Sequence, residues 1–317
     1  MSEGPDQVSG VQWITIDEGH EGQRLDNFLL GRLKGVPKSW VYRVLRRGEV
    51  RVNKGRSKPD RRLRLGDEVR IPPVRQSNRP VERPSPSAVE RIEQSIVYED
   101  KQMLVVDKPS GVAVHGGSGV SHGVIEILRA ARPDAPFLEL AHRLDRETSG
   151  CLMLAKRRST LRTLQDLQRQ GEIEKRYLAL LSGRTRKGGW RVDVPLRKNT
   201  LKSGERVVRV DPAGKPAVSH FRVVERYREA TLVEVLLETG RTHQIRVHAA
   251  ESGMPILGDP KYGDTDANRL FRDRGLKRLF LHAASLRFEW PDTGRGFKIE
   301  AALPRELQMV LDAIKES

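Results

Sequence analysis

The N-terminal part of the chain alternates between hydrophobic and polar positions in a way that predicts short elements. Residues 11–17 (VQWITID) alternate at every second position, which is typical of a strand. Hydrophobic residues then recur at helical spacing in two runs, Leu25, Phe28, Leu29 and Leu33 in the first and Val41, Val44 and Leu45 in the second. Ser39 and Gly48 are the predicted N-cap and C′ residues of the second helix.

A change of pattern after residue 72 predicts a domain boundary. Residues 49–72 indicate short basic strands joined by turns, one of them at 53–55 (NKG). Residues 72–88 contain five prolines and almost no hydrophobic periodicity, which favours an extended, semi-rigid linker. The predicted organisation is a small α/β domain at 20–75, a proline-rich linker at 76–89 and a large domain at 90–317.

Strand-like and helix-like patterns are mixed in the large domain, and strands are the more frequent. The predicted strands are 96–100, 102–109, 137–144, 150–157, 175–183, 221–227, 230–240 and 278–290. The predicted helices are 123–134, 158–171, 241–253 and 304–317. Because many strands follow one another directly, the expected class is α+β, with a mixed but mainly antiparallel central sheet and flanking helices.

Composition narrows the class of protein. The chain carries 58 Lys and Arg against 42 Asp and Glu, a net charge of +16. Such an excess points to a polyanionic partner, most often a nucleic acid. No uncharged apolar run approaches the length of a membrane span, and residues 1–10 lack the hydrophobic stretch of a signal peptide. A single cysteine, Cys151, excludes a disulfide within the chain. The expectation is a soluble, cytoplasmic protein.

The positive charge is concentrated in two segments. Residues 32–75 hold 15 basic and 4 acidic residues, and residues 156–191 hold 11 and 3. Phosphate contacts would explain both segments, and binding would then weaken steeply with salt. Two ordinary solvated faces are the alternative explanation. Charge alone does not distinguish RNA from DNA.

The densest group of chemically capable residues is the segment 142–150 (HRLDRETSG), between two predicted strands. A polar loop on a rigid scaffold is a common setting for a functional site. The alternative is an ordinary turn in which Asp145 or Thr148 caps the local backbone and Gly150 supplies the geometry.

This segment resembles the catalytic motif of the RluA-type pseudouridine synthases. Further segments resemble other motifs of that family in the same order, at 107–111 (DKPSG), 175–177 (KRY), 240–248 (GRTHQIRVH), 258–263 (GDPKYG) and 281–283 (LHA). The resemblance extends over about residues 95–290. The basic N-terminal part resembles the S4-type RNA-binding domain that many of these enzymes carry.

The resemblance implies the pseudouridine synthase fold and the isomerisation of uridine to pseudouridine in RNA. Asp145 is the implied catalytic carboxylate, acting as a nucleophile or as a base. A shielded carboxylate needs a cation to stay ionised, and Arg241 of the late motif is the predicted partner. The alternative for Arg241 is an arginine that faces RNA. Tyr177 would stack on the uracil and assist proton removal, whereas a half-buried strand tyrosine is its structural alternative.

The remaining site residues are predicted to bind the substrate. Arg143 would fill the space that a flipped-out uridine leaves, or contact a phosphate. Ile245 would pack against the base, or belong to the core. His142 and Lys108 would line or shape the cleft, or be structural. The isomerisation gains and loses no atoms, so no cofactor is expected, and the scattered histidines predict no metal site.

Three functions are consistent with these sequence features. The first is an isomerase acting on large-subunit (23S) ribosomal RNA or an assembly intermediate, as a monomer without a required protein partner. The second is a non-catalytic RNA-binding assembly factor on the same scaffold, which would not need the set of Asp145, Tyr177 and Arg241. The third is a DNA-binding protein, because the two short N-terminal helices could mimic a helix-turn-helix.

Overall fold

The computed structural model describes residues 7–17, 19–33, 36–76, 83–117, 121–200 and 206–315. The chain divides into two compact units, Met1–Arg83 and Pro84–Ser317. Among the described residues, the first unit contains one cluster of buried hydrophobic residues and the second contains three. In the described part of the chain, none of the helices has the length and apolar character that crossing a membrane requires.

The N-terminal unit is a small α/β structure. Its elements are β1 (Gln7–Ser9), β2 (Gln12–Thr15), α1 (Leu25–Arg32), α2 (Lys38–Arg47), β3 (Arg51–Val52), β4 (Gly55–Arg56), β5 (Glu68–Ile71) and β6 (Val74–Gln76). Strands β2, β5, β3 and β4 form one sheet in that order, and β1 pairs with β6. The hydrophobic residues of both predicted helices are buried in one cluster, which also contains Val52, Val69 and Ile71 of this sheet.

Local turn chemistry explains the boundaries of this unit. Gly48 is left-handed (φ 71°) and ends α2, as predicted. Asn53 and Lys54 both have positive φ, so the β3–β4 hairpin turns where the sequence predicted it. The predicted N-cap at Ser39 is wrong. Helix α2 begins at Lys38 after Pro37, whose fixed φ suits a helix start, and no side chain caps it.

The C-terminal unit contains six helices and twelve strands among its described residues. They are α3 (Pro86–Gln94), β7 (Ile96–Glu99), β8 (Met103–Lys108), α4 (Val124–Ala131), β9 (Glu139–Leu140), β10 (Ser149–Ala155), α5 (Arg158–Gln170), β11 (Glu174–Ser182), β12 (Gly189–Asp193), β13 (Leu196–Thr200), β14 (Arg206–Val210), β15 (Val218–Arg226), β16 (Ala230–Leu237), α6 (Gln244–Glu251), α7 (Thr265–Asp273), β17 (Leu281–Glu289), β18 (Gly296–Glu300) and α8 (Arg305–Lys315).

A ten-stranded sheet organises this unit. Its main path is β12-β15-β16-β11-β17-β10-β8-β7, with β18 added to β17 and β9 added to β10. Among the described pairs of this sheet, all are antiparallel except β10 with β17. The predicted α+β class with a mixed, mainly antiparallel sheet is therefore confirmed. Strands β13 and β14 form a separate hairpin.

The predicted linker at 76–89 differs from the structure at both ends. Gln76 still belongs to β6, and α3 starts at Pro86, so the large unit begins at Pro84 rather than at residue 90. Ser85 caps α3 by accepting a hydrogen bond from the Ala88 N–H (3.2 Å), and a proline at the first helical position suits the helix start. The proline content that favoured a linker is thus partly a helix-start signal.

Gly150 lies where the one parallel pair of strands meets the loop 142–150. Its φ is 107°, and it stands opposite Ala283 of β17. A Cβ atom at this position would lie 2.3 Å from the Ala283 carbonyl oxygen, which is far inside van der Waals contact. Only glycine therefore allows β10 to leave the loop and join β17 directly.

We expect Gly150→Ala to lower the free energy of unfolding by about 2–4 kcal/mol, since it adds both backbone strain and a clash with fixed backbone. Gly171→Ala is the matched control, because Gly171 is also left-handed (φ 80°) but its Cβ would meet nothing within 4 Å. It should cost about 1 kcal/mol. Urea unfolding of both variants measures the difference, and equal losses would contradict the close-contact argument.

Candidate active site

Asp145 stands at the centre of the loop between β9 and β10. The Thr148 N–H donates to the Asp145 carbonyl (3.2 Å) and closes a turn around the residue. The side chain of Asp145 is 24% exposed, so it is reachable but partly shielded from water. The turn that the sequence allowed as a purely structural alternative is therefore present, but its hydrogen bond is made by the Asp145 backbone carbonyl and not by the carboxylate.

Two side chains hold the loop from behind. Lys108 is fully buried, and its Nζ donates to the carbonyl oxygens of Arg146 (3.0 Å), Val112 (2.8 Å) and Pro109 (2.9 Å). The Ser110 hydroxyl donates to the Glu147 carbonyl (2.7 Å). Burial lowers the pKa of Lys108 to about 7, while its three acceptors match the three donors of the ammonium form.

Lys108 and His142 were predicted to bind substrate or to be structural, and their contacts favour the structural alternative for both. The Lys108 amine is fully engaged with backbone carbonyls, so it fixes the loop that carries Asp145. His142 is 7% exposed, and its Nε2 accepts a hydrogen bond from the Met153 N–H (3.0 Å). Burial lowers the pKa of His142 to about 3, so the imidazole is a neutral structural acceptor.

The cation beside Asp145 is Arg246, and the predicted pair with Arg241 is wrong. The Nη1 atom of Arg246 lies 3.6 Å from Oδ2 of Asp145. Arg241 is exposed and donates from Nε to the Pro216 carbonyl (3.0 Å). The physical reason is that α6 begins at Gln244. Arg241 therefore lies in the preceding turn, while Arg246 lies on the buried part of the helix.

Arg246 is held from its other side by a second carboxylate. Its Nε and Nη2 donate to Oδ2 (2.7 Å) and Oδ1 (2.8 Å) of Asp259, a bidentate pair in which Asp259 is 1% exposed. The guanidinium also lies over the Tyr262 ring, 5.0 Å from its centroid. Burial opposes the charge of Arg246, but the bonds to Asp259 and the charge of Asp145 raise its pKa, so it remains protonated.

Tyr177 lies on β11, where the register with β17 shifts between Arg176 and Tyr177. Its ring is buried in the main hydrophobic cluster. Among the described residues its hydroxyl has no hydrogen-bond partner, and the hydroxyl oxygen is not fully buried. Burial and the nearby Asp145 charge raise the pKa of Tyr177, so the phenol keeps its proton at neutral pH. The ring thus belongs to the core, whereas the hydroxyl can still take a hydrogen-bond partner.

The other predicted site residues occupy two different settings. Ile245 is 4% exposed and belongs to the same hydrophobic cluster as Tyr177, so it supports the site from within the core. Arg143 is exposed and follows His142 at the start of the loop, which leaves its guanidinium available to RNA. Cys151 is buried, and burial raises the pKa of its thiol to about 12, which fits an inert core residue.

The site also contains residues that the sequence did not single out. They are Arg246, Asp259, His243 and Tyr262, from the segments 240–248 and 258–263. The two segments were visible as motifs, but their side-chain partners were not. One available signal was that Arg246 falls in a helix among Ile245 and Val247, where a charged residue requires a partner.

The fold and this site agree with the comparisons made with known proteins. The family described as RNA pseudouridylate synthase matches residues 102–251, which include Asp145, Tyr177 and Arg246. The chain belongs to the RNA pseudouridine synthases, of the RluA type. Enzymes of this family isomerise uridine to pseudouridine.

Curated relatives match nearly the whole chain. The chain is 54% identical over 315 residues to ribosomal large subunit pseudouridine synthase C of Escherichia coli, covering 98% of this chain and 99% of that one. It is 50% identical over 312 residues to the protein of the same name from Haemophilus influenzae, covering 98% and 97%. The solved structure of human RNA pseudouridylate synthase domain containing 4 is 27% identical, with a TM-score of 0.60, and covers 72% of this chain and 96% of that one.

Proposed function

We propose that this protein converts uridine to pseudouridine in 23S ribosomal RNA, with Asp145 as the catalytic carboxylate. The observation that carries the proposal is the pairing of Asp145 with the buried, charged Arg246 at the mouth of the site. The names of the relatives support the large-subunit RNA as substrate. A pure RNA-binding assembly factor could use Arg246 for its structural pair with Asp259, but it would not need the second carboxylate, that of Asp145, 3.6 Å from the same guanidinium.

The isomerisation breaks the bond between N1 of uracil and C1′ of ribose and forms a bond from C5 to C1′. The proton that C5 loses is balanced by the proton that N1 gains, so the atoms balance without a cofactor. Three routes use an ionised carboxylate: attack on the ribose, attack on the base, and base-promoted elimination. Asp145, with its carboxylate 3.6 Å from the Arg246 guanidinium, fits each of them.

The target uridine must leave its stack to reach Asp145. We propose that the uracil stacks on Tyr177, whose ring is backed by the core and whose hydroxyl has no described protein partner. The exposed Arg143, two residues before Asp145, would fill the vacated space in the RNA or hold a neighbouring phosphate. Lys108 and His142 act indirectly, by fixing the loop that carries Asp145.

The N-terminal unit is proposed to be an S4-type RNA-binding domain. Its residues 32–75 carry a charge excess of 15 basic against 4 acidic residues. Several arginines of this segment are exposed, among them Arg46, Arg47, Arg51 and Arg56. Contacts from such residues to phosphates give affinity without sequence specificity. We also propose that the protein acts as a monomer in the cytoplasm.

Mapping of modified positions tests the substrate. Unmodified transcripts of 23S and 16S ribosomal RNA are incubated with the protein and treated with a carbodiimide that marks pseudouridine, and the marks are read by primer extension. The proposal predicts new stops at a few defined uridines of the 23S transcript and none in 16S. Stops in 16S alone would overturn the choice of RNA, and no stops with either RNA would overturn the enzymatic activity on naked transcripts.

Removal of residues 1–83 is expected to weaken RNA binding and leave the rest folded. The buried clusters of the C-terminal unit contain only residues from Ile92 onward, so its core stays complete. Each lost phosphate contact should reduce the slope of log K against log salt by about 0.7–0.9. Filter binding at several salt concentrations and thermal unfolding of the shortened chain provide the measurement. A shortened chain that does not unfold cooperatively would show that the two units depend on each other.

A further inference from the structure

His243 occupies a strained position next to Asp145. It precedes α6 with φ 53°, a left-handed conformation that costs a non-glycine residue free energy. Its side chain is 18% exposed, and its Nε2 lies 3.9 Å from Oδ2 of Asp145. Strained residues at functional sites persist where the surrounding structure fixes them, and they are often part of the mechanism. The question is what the imidazole does beside the carboxylate.

The second nitrogen of His243 bonds to a hydroxyl that is itself fixed. His243 Nδ1 and Tyr262 Oη are 2.8 Å apart. The same Oη accepts a hydrogen bond from the Val208 N–H of β14 (2.9 Å). Because the Tyr262 oxygen already accepts this bond, its own proton is available to donate to Nδ1. The side chain of Val208 is buried in a small cluster with Leu196, which anchors the hairpin β13–β14.

This arrangement selects one tautomer of His243. Burial lowers the pKa of the imidazole, so the neutral form is the relevant one. If Tyr262 donates to Nδ1, the proton of the neutral ring is on Nε2 and faces the Asp145 carboxylate. The opposite tautomer would turn the Nε2 lone pair toward that negative charge, which is unfavourable. The hydrogen-bond partner of one ring nitrogen thus decides whether the other nitrogen is a donor or an acceptor.

We propose that Val208, Tyr262 and His243 form a positioning relay that presents an N–H donor to Asp145 and fixes the place of its carboxylate. The relay rests on the proposed function of Asp145 and adds Tyr262 and His243 as positioning residues. Arg246 places a positive charge beside the Asp145 carboxylate, and His243 orients the same carboxylate from a second side with its N–H. The 3.9 Å separation is expected to shorten when substrate closes the site, as catalytic contacts often do.

Nitrogen-15 NMR of imidazoles tests the relay directly, because Nδ1–H and Nε2–H tautomers give different shift patterns. His243 is assigned by loss of its signals in His243→Gln. The wild type should show the Nε2–H tautomer, and Tyr262→Phe should shift the Nδ1 signal, because Nδ1 loses its hydrogen-bond donor while Asp145 keeps the ring proton on Nε2. A wild-type Nδ1–H tautomer, or an Nδ1 signal that Tyr262→Phe leaves unchanged, would overturn the relay.

Kinetics on 23S transcript tritiated at uridine C5 provide the second test. Loss of one oriented hydrogen bond should lower kcat about tenfold in Tyr262→Phe, with KM changed less than about twofold. In the His243→Gln background, adding Tyr262→Phe should cause no further loss, because the two residues act in series. Unchanged kcat in Tyr262→Phe, or fully additive losses, would overturn the proposal.

Tyr227→Phe is the matched control. Tyr227 is a buried tyrosine whose hydroxyl donates to Glu225 (2.7 Å), a partner outside the relay. This variant should keep the wild-type kcat, and a tenfold loss there as well would count against a specific relay. If the wild type releases no tritium, the proposed function fails, whereas the NMR result still decides the hydrogen-bonding order of Val208, Tyr262 and His243.

Discussion

Asp145→Asn is expected to lower pseudouridine formation by more than about a thousandfold while RNA affinity changes less than about threefold. Losses of that size follow when an enzyme loses the group that reacts with substrate. Asparagine has the shape of aspartate but no negative charge, so it can be neither nucleophile nor base. Affinity should persist because phosphate contacts from the exposed arginines are unaffected. Single-turnover tritium release and filter binding separate the two quantities.

The fold of the Asp145→Asn variant should remain intact. Arg246 loses one neighbouring charge but keeps its bidentate bonds to Asp259. Glu147→Gln is the matched control, since Glu147 belongs to the same loop and its carboxylate lies 3.6 Å from exposed Arg146, in an ion pair of little energetic value. That variant should isomerise uridine at close to the wild-type rate. Normal turnover by Asp145→Asn would remove Asp145 from the catalytic role.

Arg246→Met is expected to reduce both stability and turnover. It removes the cation beside Asp145 and leaves the fully buried Asp259 side chain without its partner. An uncompensated buried charge costs about 3–5 kcal/mol. The turnover number should fall as well, because the Asp145 carboxylate loses its ion-pair partner. Urea unfolding and tritium release are the two measurements.

Arg241→Met is the comparison that separates the two arginines of this motif. Arg241 is exposed and bonds to the Pro216 carbonyl, so its loss should cost less than about 1 kcal/mol of stability and leave kcat within a fewfold of wild type. A variant of Arg241 that loses turnover, together with an Arg246 variant that keeps it, would reverse the assignment made from the structure.

The contribution of Asp259 to the pH dependence of stability should change sign in Arg246→Met. Burial opposes ionisation, but Arg246 and the Lys261 and Tyr262 N–H groups hold the pKa of Asp259 below its ordinary value. In the wild type this contribution is therefore present above about pH 3.9, the unfolded value, and is lost as the pH falls. In Arg246→Met, burial without the cation should raise the pKa. Stability should then fall as the pH rises above about 4.

The sequence predicted the parts of the fold that depend on local pattern. Strand β10 and helices α5 and α8 follow directly from hydrophobic spacing, and the α+β class follows from their order. Helix α3 was hidden because its prolines and serines are also the composition of a linker. The hairpin β13–β14 was hidden because its strands are short and basic, with hydrophobic residues that only contact α6 and Tyr262 after folding.

The sequence predicted the segments that form the site, but not which of their side chains pair with one another. Asp145 and Tyr177 follow from the segments that resemble the family, and the Asp145 charge is near enough to raise the pKa of Tyr177 after burial has done so. The choice between Arg241 and Arg246 depends on the residue at which α6 begins. A sequence pattern locates a helix start only to within about two residues. Lysine and histidine are residue types that suit a cleft. Only the folded structure shows that the side chains of Lys108 and His142 are buried and hydrogen-bonded to backbone groups.

The most direct measurement is tritium release from 23S transcript labelled at uridine C5, with wild type and Asp145→Asn at equal RNA occupancy. Release by the wild type and none by the variant is the predicted result, since both bind RNA and only one has the carboxylate. Equal release by both proteins would contradict the role of Asp145. No release by either, with salt-sensitive binding intact, would contradict the enzymatic function and favour an RNA-binding assembly factor.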